Sequence, residues 1–260
     1  MVNIDLIRAP LFVPANRPER FAKAAASGAD AVILDLEDAV ADNAKETARA
    51  TLASDFTDVP VIVRINGHGT VWHERDVAAA AKLHLAAVMV PKAEDPAVLS
   101  SIWQALGGLP LIALIETARG VAAARSIAAA VRLAFGSVDY CADLDCAHLR
   151  EVLLPVRSEL VLASRLVGIA APIDGVTLQL DDAGIAHDDA CHARDLGLTG
   201  KLCIHPKQIA GVVRAFLPSP AEVDWAQRVL ASGDGVALID RIMVDEPVRI
   251  RARALLAQFE

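Results

Sequence analysis

Short apolar runs alternate along this chain with longer, alanine-rich segments in which charged residues recur at helical spacing. The short runs are rich in Val, Ile and Leu, which is typical of strands buried on both faces of a parallel sheet. AVILDLE at 31–37 and LIALIET at 111–117 are examples. Predicted strands lie, in chain order, at residues 8–15, 31–37, 61–66, 86–93, 111–117, 132–138, 173–180 and 200–206.

Eight strands with helical crossovers predict an α/β fold with a parallel sheet, and eight is the number at which such a sheet closes into a TIM (β/α)8 barrel. An open doubly wound sheet is the alternative, but no strand is followed by G-x-G-x-x-G or a Walker loop. The predicted barrel domain is 1–217, and 218–260 form a C-terminal helical appendage or lid. Its helices are predicted at 221–232 and 247–258.

Composition narrows the classes of protein that this chain can belong to. Hydrophobic residues make up 54%, which excludes intrinsic disorder. Asp and Glu number 33 against 25 Lys and Arg, so we expect no nucleic-acid partner. No apolar run approaches the ~20 residues of a membrane span, and the first residues lack a signal-peptide pattern, so a cytoplasmic protein is expected. Four cysteines without C-x-x-C spacing predict buried thiols rather than a metal or redox site.

Charged residues stand at the C-terminal ends of most of the predicted strands. In a TIM barrel the carboxyl ends of all strands meet at one mouth, where the functional site lies. A single charged strand end is usually a helix cap or a surface ion pair, but several together favour a site. The strand-end residues are Asp35, Glu37, Asp38, Arg64, Lys92, Glu116, Asp139 and His205.

Glu116 and Asp139 are the best candidates for metal ligands. Carboxylates from neighbouring strands repel one another unless a cation lies between them, and Mg²⁺ binds one or two carboxylates together with water and substrate oxygens. Arg64 offers a planar fork for a substrate carboxylate. A metal beside such a fork predicts a 2-oxo acid or 2-hydroxy acid as ligand, with an enolate stabilised by the cation.

The chain resembles the HpcH/HpaI-type aldolase and citrate lyase β-subunit superfamily, close to its citrate lyase β-subunit-like CoA-ester lyases. The resemblance covers nearly the whole chain and rests on a specific combination of motifs. These are PLFVPANRPERFAKA, GADAVILDLEDAV, VRIN, VPKAE, IETARGV, FGSVDYCADL and GKLCIHPKQI.

The resemblance implies roles for individual residues at the predicted metal site. Glu116 and Asp139 would bind Mg²⁺, and Arg64 would hold the carboxylate of the oxo acid. Glu37 and Asp38 would contact the metal through bound water.

It also implies roles away from the metal. Arg17, Arg20 and Lys45 lie where relatives gather basic groups around CoA, although each also fits a solvated helix face. Asp245, in IMVDEP, would act as acid and base, reaching into a neighbouring subunit of a homo-oligomer (trimer or hexamer). Asp245 also fits the N-terminal cap of the last helix.

Three segments of the chain depart from the family pattern. Val138 replaces the usual acidic residue before the metal-binding Asp, and Asp145 stands where a glycine commonly follows the ADL segment. Asp240 and Arg241 replace a glycine-containing turn before IMVDEP. Neither of the first two removes a proposed ligand, but both alter the loop that shapes the thioester pocket.

The function that follows is a Mg²⁺-dependent carbon–carbon lyase. It would cleave or form a 3-hydroxy-3-carboxyacyl thioester of malyl, citramalyl or citryl type, with an acyl thioester and a 2-oxo acid as products; the thioester is carried by CoA or an acyl-carrier protein. One alternative is an aldolase acting on free 2-oxo acids, either metal-dependent or through a Schiff base on Lys92. Another is a non-catalytic, citrate lyase β-subunit-like partner of an acyl-carrier protein.

Overall fold

The computed structural model describes residues 3–129 and 131–257, with the backbone alone for Ala183. Its main sheet is built from parallel strands at most of the predicted positions, although each is shorter than its apolar run. The strands are β1 (Pro10–Pro14), β2 (Ala31–Asp35), β3 (Val61–Arg64), β4 (Ala87–Val90), β5 (Leu111–Ile115), β6 (Arg132–Phe135), β7 (Ile173–Asp174) and β8 (Gly200–Lys201).

The order of the strands in the sheet is their order in the chain, and every neighbouring pair is parallel. The sheet closes on itself because the segment after β8 pairs with β1. Leu11 and Cys203 form a parallel bridge, the Phe12 amide donates to the Cys203 carbonyl at 2.9 Å, and the Cys203 amide donates to the Pro10 carbonyl at 2.9 Å. The predicted TIM-type barrel is therefore confirmed.

Helices follow the strands as expected, with two additions. No helix in the described ranges combines the length and the apolar composition needed to cross a membrane. The helices are α1 (Phe21–Ala25), α2 (Lys45–Ala50), α3 (His73–Ala80), α4 (Pro96–Ala105), α5 (Ala118–Ala128), α6 (Ser137–Leu144), α7 (Arg150–Val167), α8 (Ala183–Asp195), α9 (Pro206–Phe216), α10 (Pro220–Ala231) and α11 (Glu246–Leu256).

The additions are α6 and α9, and both correct the predicted strand ends. We expected the sixth strand to run to residue 138 and end at Asp139, but β6 ends at Phe135 and Asp139 lies in the first turn of α6. We expected the eighth strand to reach 206, yet β8 ends at Lys201. Apolar runs alone do not show where a strand ends, because a buried loop and the first turn of a helix are equally apolar.

Alternating residues of the strands fill the barrel interior. Ile33, Ile62, Met89, Ile112 and Leu114 belong to one buried cluster, and all five are at most 2% exposed. Since side chains in a strand alternate between the two faces, the residues two positions further along also face inwards. The mouth of the barrel is therefore lined by whatever follows these residues at that spacing.

The opposite end of the barrel is closed by a buried arginine. Arg132, the first residue of β6, donates to the Ile4 carbonyl, to the Ile7 carbonyl at 3.1 Å and to the Ala171 carbonyl at 3.2 Å. Burial lowers its pKa to about 10, with Asp5 and Asp30 opposing that change. Arg132 thus holds the N-terminal segment at the amino end of the barrel, opposite the mouth.

The chain divides into two compact units, Met1–Val213 and Arg214–Glu260. The boundary lies within α9, whereas the prediction was 217/218. In the second unit, α10 and α11 pack around Ala226, Val229, Val244 and Ala252, which are all buried. An antiparallel hairpin of β9 (Ala237–Ile239) and β10 (Ile242–Val244) joins the two helices, where we expected only a turn; Gln258, the predicted end of the last helix, lies outside the described residues.

Candidate active site

Asp35 and Arg64 face each other at the barrel mouth. They are paired in the register of β2 and β3 and lie two residues after the interior residues Ile33 and Ile62, so both side chains point inwards. Arg64 Nε donates to Asp35 Oδ1 at 2.7 Å and Nη2 donates to Asp35 Oδ2 at 2.6 Å. This bidentate pair is buried, with 7% of Arg64 and 1% of Asp35 exposed.

Two more carboxylates and an aromatic ring surround the Arg64 guanidinium. Its Nη1 lies 3.0 Å from Glu37 Oε2 and 3.5 Å from Asp38 Oδ2, and its carbon lies 4.8 Å from the centre of the Phe12 ring. These acids hold the pKa of Arg64 above its usual range, although burial opposes them. Arg64 is thus charged, and Asp35, not an incoming anion, occupies one edge of its fork.

Lys92 links two of the acidic residues. Its Nζ donates to Glu37 Oε1 at 2.6 Å and lies 4.0 Å from Glu116 Oε1, while its backbone N–H donates to Glu116 Oε1 at 2.8 Å. The backbone of Lys92 has φ +46°, which is uncommon for a residue with a side chain. Partial burial by itself lowers the pKa of the Lys92 amine, but the hydrogen bond to Glu37 and the charges of the nearby acids raise it overall. A Schiff-base lysine needs the opposite shift, so the Lys92 nucleophile is not supported.

Glu116 is fully buried at the end of β5, two residues after the interior residue Leu114. Burial, together with the nearby Glu37 and Asp139 charges, raises its pKa to about 8. Its Oε1 accepts the Lys92 N–H, but its Oε2 is buried without a hydrogen-bond partner. Gly136 lies directly against it, since a Cβ at that position would overlap the Glu116 carboxylate.

Asp139 reaches the same cavity from α6. It is half-buried and close enough to Glu116 for its charge to raise the Glu116 pKa. Predicting it at a strand end was wrong, although it does lie near Glu116; the prediction that the two residues bind a metal stays a prediction. The short helix begins directly after β6, so its first turn still stands over the barrel mouth.

Around these residues is a cavity of about 420 Å³ that is lined by both charged and apolar side chains. The charged lining residues include Asp35, Arg64, Glu116 and Asp139. The apolar lining residues include Phe12, Leu114, Phe135, Val138, Val176, Leu202 and Ile204.

The donor set of this cavity fits a hard divalent cation. A buried, unpartnered Glu116 oxygen beside a second carboxylate is a costly arrangement unless a cation or proton is added. Within residues 3–129 and 131–257, no three His, Cys, Asp or Glu side chains converge as a metal-binding group. Mg²⁺ does not require that, because it commonly takes one or two carboxylates and completes its shell with water and substrate oxygens.

The three basic residues predicted around CoA have different surroundings. Arg17 and Arg20 are half-exposed beside Glu19, with Arg17 Nε 2.6 Å and Arg20 Nε 4.0 Å from Glu19 Oε1. Lys45 is buried, and its Nζ donates to the carbonyls of Leu36 at 3.0 Å and Glu37 at 2.8 Å.

Lys45 also lines a second cavity of about 610 Å³, formed by the loops after β2, β3 and β4. Its Nζ lies 5.1 Å from the centre of the Trp72 ring, and Asp38 lines both cavities. Lys45 therefore supports the loop that carries Glu37. The prediction that these three residues bind CoA stays a prediction.

Asp245 lies in the second unit at the N-cap position of α11. Its backbone is extended, and its side chain makes no capping hydrogen bond. The carboxylate is half-buried and does not serve the helix in the way that a capping Asp would.

Sequence reasoning missed two contributions to the site. Asp35 was recognised as a charged strand end but not as the bidentate partner of Arg64, and the Lys92 backbone was not recognised as a donor to Glu116. The first had a signal in the sequence, because Asp35 continues the alternation of Ala31 and Ile33. The second had none, because a positive φ at a lysine leaves no mark in composition or periodicity.

Comparison with known proteins places the chain within a family. The model of the HpcH/HpaI aldolase/citrate lyase family matches residues 8–206. The citrate lyase subunit beta-like protein of Mycobacterium tuberculosis is 42% identical, covering 95% of this chain and 93% of its own length. The (3S)-malyl-CoA thioesterase of Cereibacter sphaeroides is 35% identical, covering 97% of this chain and 94% of its own.

A solved structure gives the same result for the fold. The crystal structure of CitE from Mycobacterium tuberculosis, in complex with magnesium, acetoacetate and coenzyme A, superimposes with a TM-score of 0.87. It is 39% identical in sequence, and the match covers 98% of this chain and 99% of that one.

Proposed function

The chain belongs to the HpcH/HpaI aldolase/citrate lyase family and is a lyase of the citrate lyase β type, and we propose that it cleaves a 3-hydroxy-3-carboxyacyl-CoA ester with the help of Mg²⁺. The substrate is of malyl, citramalyl or citryl type, and the products are an acyl-CoA and a 2-oxo acid. The observation that carries this proposal is the buried, unpartnered Glu116 oxygen beside Asp139, facing a cavity that also contains the Arg64 guanidinium.

Glu116 and Asp139 would hold the Mg²⁺ ion, which supplies Lewis-acid polarisation of the substrate when bound. Among the described residues, Arg64 is the only cationic side chain that lines the 420 Å³ cavity. Asp35 holds Nε and Nη2, so the substrate carboxylate would bind at Nη1 in place of Glu37 and Asp38. Glu37 and Asp38 would act through water near the metal. The CitE structure from Mycobacterium tuberculosis was solved with magnesium, acetoacetate and coenzyme A, which supports Mg²⁺, an oxo acid and CoA as the molecules bound by this chain.

Cleavage is a retro-aldol reaction and needs an acid and a base. The proton leaves the 3-hydroxyl group, the bond between C2 and C3 breaks, and its electron pair passes to the thioester as an enolate that is then protonated at C2. Asp245 is proposed for these transfers, because its carboxylate is not used for helix capping. Arg17, Arg20 and Lys45 are proposed to attract the phosphates of CoA.

The test is a direct assay of the full chain against malyl-, citramalyl- and citryl-CoA, measuring the released 2-oxo acid and acyl-CoA. We expect at least one ester to be cleaved with Mg²⁺ and none in excess chelator. Glu116→Gln should lower activity at least 100-fold, whereas the matched control Glu151→Gln, at an exposed position of α7, should behave as the wild type. Full activity in chelator would contradict the proposal.

A second candidate function is hydrolysis of the thioester, favoured by the relative named (3S)-malyl-CoA thioesterase. The same assay separates the two, because hydrolysis releases free CoA and the intact hydroxy acid, whereas the lyase releases a 2-oxo acid. Turnover of free 2-oxo acids but no ester would identify the aldolase instead. If the folded, Mg²⁺-binding protein cleaves nothing until an acyl-carrier protein is added, the substrate is a carrier-bound thioester.

A further inference from the structure

Two cysteines stand at the two ends of the turn that terminates α6, next to the candidate metal site. The helix ends at Leu144, Asp145 follows in the left-handed region with φ +49° and ψ +47°, and the Cys146 N–H donates to the Cys141 carbonyl at 3.0 Å. A backbone hydrogen bond that spans six residues in this way is typical of a Schellman motif, in which the side chains of the first and last residues are commonly in contact. Here both of these residues are cysteines, at the first and last positions of the turn.

The pair is reachable from solvent on one side. Cys146 is half-buried, and Asp143, Leu144 and Asp145 beside it are exposed, whereas Cys141 is only 9% exposed. Both cysteines are free thiols in the structure. The sequence prediction of buried thiols without a redox role rested on C-x-x-C spacing, which does not account for a helix that ends between two cysteines five residues apart.

The six-residue turn is tied to both proposed metal ligands. Asp139 lies in the first turn of the same short helix. Asp143, inside the turn, accepts the Ala118 N–H at 2.7 Å, and Ala118 follows Glu116 by two residues at the start of α5. A change in the conformation of the last turn of α6 can therefore move Asp139 through the helix, and can move the segment after Glu116 through the hydrogen bond of Asp143 to Ala118.

We propose that Cys141 and Cys146 are an oxidative modification site, at which a hydroperoxide converts the two thiols into a disulfide that weakens metal binding in the adjacent cavity. The Cys146 thiolate attacks the peroxide, forming an S–O bond and breaking the O–O bond, and the leaving oxygen takes up a proton as water. The Cys141 sulfur then attacks the Cys146 sulfur, which forms the S–S bond and breaks the S–O bond made in the first step. The hydroxyl group leaves with the proton of the Cys141 thiol as a second water. Two thiols lose two electrons and hydrogen peroxide gains them.

Metal binding should weaken because the bond shortens the turn. In the free thiols the two sulfur atoms are not bonded, and a disulfide requires them to approach to about 2.05 Å. The last turn of α6 must then tighten, which moves Asp143 relative to Ala118 and tilts a helix too short to absorb the change before Asp139.

The first experiment treats the reduced full-length protein with hydrogen peroxide and maps the products by mass spectrometry of a non-reduced digest. We expect a Cys141–Cys146 bridge, reversed by dithiothreitol and formed at least tenfold faster than any oxidation of Cys191 or Cys203. Cys191 is the matched control, being half-buried with its Sγ 3.6 Å from a His187 nitrogen. Oxidation of Cys191 first, or of Cys146 without a bridge, would overturn the proposal.

The second experiment measures Mg²⁺ binding by titration calorimetry in the reduced, oxidised and re-reduced protein. We expect affinity to fall at least threefold on oxidation, to recover on reduction, and not to change in Cys146→Ala treated in the same way. Equal affinities in the bridged and reduced proteins would overturn the link to the metal site. The mapping experiment does not depend on the proposed lyase reaction, so failure of that reaction and failure of this inference are distinguishable.

Discussion

At the scale of single residues, the barrel mouth keeps a carboxylate out of water while leaving one of its oxygens free. Glu116 is fully buried, Lys92 donates to Oε1 through a backbone N–H aimed by a positive φ, and Oε2 has no partner. Such backbone strain is of order 1 kcal/mol and persists only where the surroundings enforce it. Lys92 is therefore a positioning residue for Glu116.

The raised pKa of Glu116 predicts that metal binding releases a proton. With a pKa of about 8, the metal-free carboxyl group is mostly protonated at pH 7 and half protonated at pH 8, and Mg²⁺ must displace that proton. Mg²⁺ affinity should therefore fall as the pH drops below 8. Titration calorimetry in buffers of different ionisation enthalpy should show close to one proton released per Mg²⁺ at pH 7 and about half at pH 8.

The control for this prediction is Glu151→Gln, which should release protons as the wild type does, whereas Glu116→Gln should bind Mg²⁺ weakly. If binding at pH 7 releases no proton, Glu116 is already ionised in the metal-free protein, and the explanation from burial is wrong.

At the scale of elements, the C-terminal hairpin shows residues with side chains in a conformation that normally requires glycine. Asp240 and Arg241 connect β9 and β10 with φ of +50° and +65°, the pattern of a type I′ turn. Asp240 is also held by Arg228, whose Nη1 donates to it at 2.9 Å. Because Arg241 replaces a glycine in this turn, its positive φ strains the backbone at that position.

Replacing Arg241 with glycine should stabilise the hairpin. Asp-Gly is a preferred type I′ sequence, and removing a side chain from the left-handed region gains about 1 kcal/mol. Exchange of the hairpin amide hydrogens, measured in the full chain, should slow about fivefold. Gly235→Ala is the matched control and should have the opposite effect. Gly235 has φ +88° and open space around it, so an alanine there strains the backbone without a steric clash and should speed the exchange. Faster exchange in Arg241→Gly would contradict the argument.

At the scale of the whole molecule, the proposed chemistry needs groups from two compact units. Glu116, Asp139 and Arg64 lie in the unit Met1–Val213, and Asp245 lies in Arg214–Glu260. We propose that Asp245 completes the site of a neighbouring copy in a homo-oligomer. The metal ligands and the acid of one active site would then come from different chains.

A mixing experiment tests that arrangement. Asp245→Asn and Glu116→Gln proteins should each be at least 100-fold less active, and hetero-oligomers assembled from both should recover part of the activity. Some of their sites pair an intact Glu116 with an intact Asp245 of the other chain. An active Asp245→Asn protein would exclude the acid-base role, and an inactive one that mixing does not rescue would place Asp245 in the site of its own chain.

The barrel could be predicted from the sequence by itself, because burial on both faces of a parallel strand imposes a continuous apolar run that is visible without coordinates. Charged residues at the ends of those runs likewise indicated one mouth containing Arg64 and Glu116, since parallel strands all end on the same side. The motifs that resemble the family contain these same strand ends, and the family model matches residues 8–206.

Tertiary structure alone decided how those charges are paired. Arg64 binds Asp35 because the register of β2 and β3 sets them opposite each other, and Asp139 stands near Glu116 because a helix, not a strand, follows β6. The turn that joins Cys141 and Cys146 depends on a left-handed residue after that helix. Register, helix ends and backbone conformation are set by contacts between segments distant in the chain, and local residue patterns do not record them.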